Sequence, residues 1–227
     1  MYVGRSVYTP TLGWSPIQGD LPTGERADLV LAFGARSVLS DPQALDGVAA
    51  RHPGAHVFGC STAGEIAGTR VLDDSLVTTA VRFEHTRMVS ADAAISAPEQ
   101  SGAVGQALAA QLPPEGLVHV FVLSDGLCVN GSELVAGLSR GLPPGVVITG
   151  GLSADGALFS ETLVCAGGRA GRGRVGVIGL YGDRLKVGVG SMGGWDVFGP
   201  ERRITQSKAN VLYALDGNDH TPARLDN

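Results

Sequence analysis

Several things are scarce in this 227-residue chain. Aromatic residues make up 5% of it and charged residues 17%, against 44% hydrophobic residues. The formal charge is −5. That balance fits a globular core and supplies no basic footprint for nucleic acid. Only three cysteines occur, Cys60, Cys128 and Cys165. They form no CxxC or metal-ligand spacing, so no disulfide framework or zinc site is expected, and buried free thiols in a reducing, cytoplasmic setting are. No HExxH or acidic cluster marks a dedicated metal site. No apolar run approaches the ~18 residues of a membrane span, and Met1–Arg5 leads into a polar, Pro-containing stretch rather than a signal-peptide core.

Glycine, by contrast, is abundant, with 34 residues and no Gly-X-Y period. It concentrates with serine in two short stretches that echo each other: Gly59-Cys60-Ser61-Thr62-Ala63-Gly64-Glu65 and Gly150-Gly151-Leu152-Ser153-Ala154-Asp155-Gly156. Each follows a β-rich run that arrives from a helical segment. A Gly/Ser turn at a strand end lets backbone N–H groups approach a small ligand.

The pattern around these turns is duplicated. Residues 1–27, with Pro10, Pro16 and Pro22, read as irregular. Leu29–Phe33 is a buried strand. Asp41-Pro42 starts a helix to Arg51, with Asp as N-cap and Pro in the first turn. His56–Phe58 is a strand into the first turn, and Ser75–Phe83 and Thr86–Ala91 are further strands. A helix from Pro98 to Leu112 follows, stopped by Pro113-Pro114. Then strand Leu117–Leu123, turn Ser124-Asp125-Gly126, a helix capped near Asn130 and strand Val146–Thr149 repeat the order. Thr162–Ala166, Val175–Tyr181 and Leu185–Val189 complete the strand candidates.

Phe33 pairs with Phe121 at an offset of 88, and Cys60 with Gly151 at 91. The expectation is an α/β fold of mixed sheets with helices packed on them. It would be built from two pseudo-twofold-related strand–helix–strand–strand units, about 28–92 and 116–190, within a domain of 28–217 and a divergent tail of 218–227. The two Gly/Ser turns would lie together near the pseudo-axis.

The candidate ligand contacts are Cys60, Ser61, Thr62, Gly64, Gly150, Gly151, Ser153 and Asp155 in the turns. Ser124 and Asp125 at another strand end and Trp195 as a ring contact complete the set. Backbone amides suit a carboxylate, and hydroxyls orient it. Two GxGxxG matches, Gly171–Gly176 and Gly188–Gly193, lack the strand-before, helix-after context of a dinucleotide site. A hydrolase using Cys60 or Ser61 is the rival reading. The spacing Gly59–Gly64 is one residue longer than a GxSxG elbow, and no helix follows. No catalytic residue is assigned. A protein-interaction module without a ligand is the third reading.

Gly59-Cys60-Ser61-Thr62-Ala63-Gly64-Glu65-Ile66 resembles the signature turn of the FIST domain family (F-box and intracellular signal transduction proteins). Asp73–Leu76, Leu123–Leu127, Gly150–Gly156, Gly193–Asp196 and Asn210–Gly217 match as well, so the likeness runs from about Val30 to Gly217. Arg82–Thr86, Val129–Val135 and Phe198–Arg203 look most like the NosP-like branch. The resemblance implies a bacterial, cytoplasmic, non-enzymatic sensor of small, amino-acid-like ligands. It implies haem-based nitric oxide sensing in that branch, and a histidine kinase or cyclic-di-GMP enzyme as partner. Val189 stands where many NosP-like relatives carry His. Relatives continue into a second, C-terminal domain, whereas Pro222–Asn227 departs from that continuation. A homodimer covering the apolar Ile204–Leu215 segment is therefore expected.

Overall fold

Apolar residues alternate on both faces of the central strands, so each sheet is covered twice. In the computed structural model, which describes residues 1–23, 25–190, 192–194, 196–197, 199–208 and 211–224, the chain divides into two units, Met1–Val187 and Gly188–Asn227.

The first unit opens with β1 (Tyr2–Thr9) and β2 (Gly13–Gln18). β3 (Leu29–Gly34), the short helices α1 (Arg36–Leu39) and α2 (Pro42–Arg51), and β4 (His56–Ser61) follow. A hairpin of β5 (Glu65–Ala67) and β6 (Arg70–Leu72) then leads to β7 (Leu76–Arg82) and β8 (Arg87–Ala94). The second half runs through α3 (Ser101–Ala109), β9 (Leu117–Ser124), α4 (Gly131–Gly141) and β10 (Val147–Leu152). It closes with the β11 (Val164–Ala166) and β12 (Arg169–Gly171) hairpin and β13 (Arg174–Tyr181).

The helix starts follow their caps. Asp41 accepts from the Gln43 N–H with Pro42 in the first turn, and the Asn130 side chain accepts from the Glu133 N–H. α3 ends at Ala109, short of the expected Leu112, because Gln111 and Leu112 donate three residues back, to Leu108 and Ala109, in a tightened turn before Pro113.

One sheet has the order β12-β11-β4-β3-β7-β1-β2 and the other β10-β9-β13-β8. The fold is thus mixed α/β, as expected. β3 and β4 are parallel and β7 is antiparallel to β3; β9 and β10 are parallel and β13 is antiparallel to β9. The triplets β4-β3-β7 and β10-β9-β13 therefore share one order and sense. Two exchanges link the halves: β11 pairs with β4, and β8 pairs with β13. Phe33 lies opposite Cys60, and Leu123 opposite Gly151.

Three apolar clusters define four layers. Val30, Ala32 and Val57 meet Val38, Leu39, Leu45 and Val48 of α1 and α2. Val120, Val122 and Val177 meet Leu108 of α3 and Leu134 and Leu138 of α4. Between the sheets, Leu29, Phe58, Cys60 and Val81 meet Leu123 and Ile178. There Phe58 and Phe121 pack edge-on at 5.9 Å and 67°. Alternation along β3 and β9 sends successive side chains to opposite layers.

Two expectations are corrected. Residues 2–18 are not irregular, although 19–23 and 25–27 are: β1 and β2 form a hairpin, with β1 antiparallel to β7 from Tyr2↔Arg82 to Tyr8↔Leu76. The prolines are compatible with this, since Pro10 lies in the turn and Pro16 on the outermost strand. Leu185–Val189 forms no strand: it follows a turn closed by the Leu185 N–H on the Gly182 carbonyl, and Gly188 falls inside it. The second unit holds an antiparallel sheet of β14 (Ile204–Lys208), β15 (Val211–Leu215) and β16 (Asn218–Arg224). The last of these reaches into the segment read as a divergent tail.

The repeat has a steric signature. A Cβ added at Gly59 would sit 1.7 Å from the Ala32 carbonyl oxygen, and one at Gly150 1.7 Å from that of Val122. Gly151 has open space around it. Gly59→Ala and Gly150→Ala are each expected to cost about 2–4 kcal/mol, and Gly151→Ala no more than about 0.5 kcal/mol. Chemical denaturation of the three variants checks this.

Candidate functional site

The two Gly/Ser turns meet. Each leaves its parallel strand by the same bond: Thr62 N–H donates to the Gly34 carbonyl at 3.0 Å, and Ser153 N–H to the Ser124 carbonyl at 2.8 Å. The Ala154 N–H then donates to the Ser61 carbonyl at 2.9 Å, joining one turn to the other. Ser61 also donates its N–H to the Leu163 carbonyl (2.8 Å), and its Oγ accepts from the Leu163 N–H (2.9 Å).

A cleft of about 270 Å³ opens beside this junction, at the carboxyl ends of β3 and β4. Ala35–Ser37, Thr62–Glu65, Asp73, Asp74, Asp155, Gly156 and Leu158 line it. The carboxyl ends of parallel strands are where α/β sheets leave a crevice. Of the expected residues, Thr62, Gly64 and Asp155 reach the cleft. Ser61, Ser124, Asp125 and Ser153 are buried and serve the frame. The Ser153 hydroxyl donates to the Ser124 carbonyl. The Asp125 carboxylate accepts from the N–H groups of Leu127, Cys128 and Gly173. Gly150 is held against β9, and Gly151 lies on an exposed strand; neither lines the cleft. Trp195 lies outside the described residues.

Sequence reading missed Arg36, Ser37 and Leu158 and gave no role to Asp73 or Asp74. Arg36 and Ser37 follow a strand with no Gly/Ser signature. They lie two and three residues past the end of β3, with no motif of their own.

The electrostatics of the cleft are mixed. Glu65 is 1% exposed; its carboxylate accepts from Thr62 Oγ1 and Ser75 Oγ, both at 2.8 Å, so it anchors the turn. Arg36 Nη1 meets Glu161 Oε2 at 3.0 Å, while its Nε is buried without a protein acceptor among the described residues. Ser37 Oγ donates to Asp74 Oδ1 at 3.3 Å. Asp155 gathers the loop beyond it: Oδ1 accepts from the Phe159 N–H (3.0 Å), and Oδ2 from those of Ser160 (2.8 Å) and Glu161 (2.9 Å). Burial pushes the Asp155 carboxyl up, but the N–H groups of Glu161, Ser160 and Phe159 outweigh it and hold it below its ordinary value.

The site is not built as a hydrolase around Cys60. That thiol is 3% exposed, and burial, with Cys165 nearby, pushes it up to about 12. A thiolate nucleophile needs the opposite shift.

Haem does not fit this cleft either. Haem iron takes His, Cys, Met or Tyr, and the lining holds none of them. His119 is buried in the β9–β10 pair, its Nε2 hydrogen-bonded to Thr149 Oγ1 at 2.8 Å. His56 and His85 are exposed and His52 is half-buried, all outside the cleft; the His220 side chain lies outside the described residues.

A family model for the FIST N domain matches residues 28–218. No curated protein matches the chain. Among the described residues, no helix is long and apolar enough to cross a membrane.

Two outcomes follow from the chemistry of the site. Native protein at neutral pH should leave Cys60 unlabelled by a thiol reagent until it is unfolded, as read by peptide mass mapping; rapid native labelling of Cys60 would contradict the burial argument. For Asp155, a lowered folded pKa means stabilisation that is full above the unfolded carboxylate value, 3.8, and lost as pH falls through the lowered one. Asp155→Asn should remove this acid dependence and cost about 1–3 kcal/mol at neutral pH. Melting curves across acid pH measure both.

Proposed function

This chain belongs to the FIST N domain family, and on that premise we propose that it is a small-ligand sensory domain in signal transduction whose ligand seats in the β3–β4 cleft. The observation that carries the reading is the Ala154–Ser61 hydrogen bond, which brings one turn from each half to the same cleft. A ligand held there touches both halves and can bias their arrangement, as a sensor requires.

The lining favours a small zwitterion. Arg36 offers a guanidinium whose fork matches a carboxylate. Asp73 and Asp74 face the same cleft as acceptors for an ammonium. Ala63 and Gly64 line the same cleft, and their amides are further donors for a carboxylate. Leu158 supplies an apolar wall for a short side chain. An amino-acid-like molecule satisfies all of these.

Asp74 has a left-handed backbone, with φ 49°, which Asn also adopts readily. Asp74→Asn therefore removes one charge with little strain. Calorimetric titration with a panel of free amino acids and small amino-carboxylates should find saturable binding to the native chain. That binding should weaken about tenfold or more, about 1.4 kcal/mol, in Asp74→Asn and in Arg36→Met, with melting profiles confirming that both variants fold. Binding unchanged in both variants would place the ligand elsewhere.

A further inference from the structure

β10 is an edge strand with no protection. It pairs with β9 on one side and with no strand among the described residues on the other. The other edge strands of the two large sheets are guarded. β2 contains Pro16, β12 is three residues long and begins with Arg169, and β8 carries Arg87 and Asp92. Proline, charge and shortness are the devices that keep sheet edges from pairing. From Val146 to Leu152 the sequence Val-Val-Ile-Thr-Gly-Gly-Leu has no charge and no proline. Val147 is 51% exposed, and Gly150 and Gly151 have no side chains to shield the backbone.

The repeat indicates what such an edge takes. β4, the counterpart of β10, carries β11 antiparallel on the corresponding side, with Val164 opposite Cys60. β11 comes from the other half. The reciprocal hairpin, β5–β6, pairs only with itself, so the first unit has no strand left for β10.

We propose that β10 pairs antiparallel with β10 of a second copy of this chain, joining the two four-stranded sheets into one of eight. The occupant is argued from self-complementarity. An uncharged strand meets its own copy without like-charge opposition, and antiparallel pairing of identical strands closes as a two-fold dimer. Pairing centred on Thr149 sets Val147 opposite the partner's Gly151. Val147, Thr149 and Gly151 share one face of the strand, so the exposed valine covers the place where glycine leaves a gap. A six-residue edge buries less than a standard interface, so the dimer dissociates on dilution.

Sedimentation equilibrium on the full chain from micromolar to submillimolar concentration tests this, with amide exchange of residues 147–152 read in parallel. The expected result is a monomer–dimer equilibrium in which those amides gain protection as dimer forms. Val147→Lys/Gly151→Lys places lysine against lysine across the two-fold and should be monomeric with an unchanged melting profile, since both positions have room. Val147→Lys/Gly151→Glu, with each lysine facing the partner's glutamate, should dimerise again, which separates loss of the interface from loss of the fold. Three results would overturn the proposal: native protein monomeric throughout, whether its β10 amides are open or already covered by the chain's own residues 188–227; a dimer that persists in the double-lysine variant; or a mixed-charge variant that stays monomeric.

Discussion

Ser61 ties the first unit together. Its N–H, carbonyl and hydroxyl each engage the second half of the chain, through Leu163 on one side and Ala154 on the other. The residue is fully buried, so each lost bond would leave a polar group without water to replace it. β11 lies beside β4 because this junction holds the approach to it. The 153–156 turn stands beside the 62–65 turn for the same reason, and the cleft is the space the two leave at the ends of β3 and β4. Residues from both halves thereby line one cleft.

The cleft is lined by loops whose shapes are fixed from within. Glu65 holds the first turn through Thr62 and Ser75. Asp155 holds the second loop through three backbone N–H groups and carries Leu158 on it. Both carboxylates are committed to the frame, which leaves Arg36, Asp73 and Asp74 as the charged groups on the cleft itself. Arg36 also pairs with Glu161, at the far end of the Asp155 loop. On the proposed reading, a ligand carboxylate at Arg36 competes with Glu161, which lies on the connection between β10 and β11.

Much of the fold was legible in the sequence because burial on two faces writes continuous apolar runs, as in Leu29–Phe33 and Leu117–Leu123, and because Asp41-Pro42 and Asn130 mark helix starts by local chemistry. The N-terminal hairpin was less legible. Pro10 and Pro16 are turn signals unless one knows that the first falls between strands and the second on an open edge. The site divides in the same way. Glycine and serine announced where the chain turns, but the same residues serve a tight backbone approach, as at Gly59 and Gly150, or a buried bond, as at Ser61 and Ser153. Of the candidate contacts, Thr62, Gly64 and Asp155 face the cleft. Arg36 was out of reach, because its place depends on the pairing of β3 and β4 and on the hydrogen bond from Ala35 to Ser75, not on any motif.

A single ligand seated at the joined turns would touch both halves at once. Amide chemical-shift mapping during titration with a small zwitterion reads this out. The amides of residues 35–37, 62–65 and 155–158 are expected to shift together, with one saturation curve, while those of β1 and β2 stay still. Shifts confined to one turn, or gathered away from both, would contradict it.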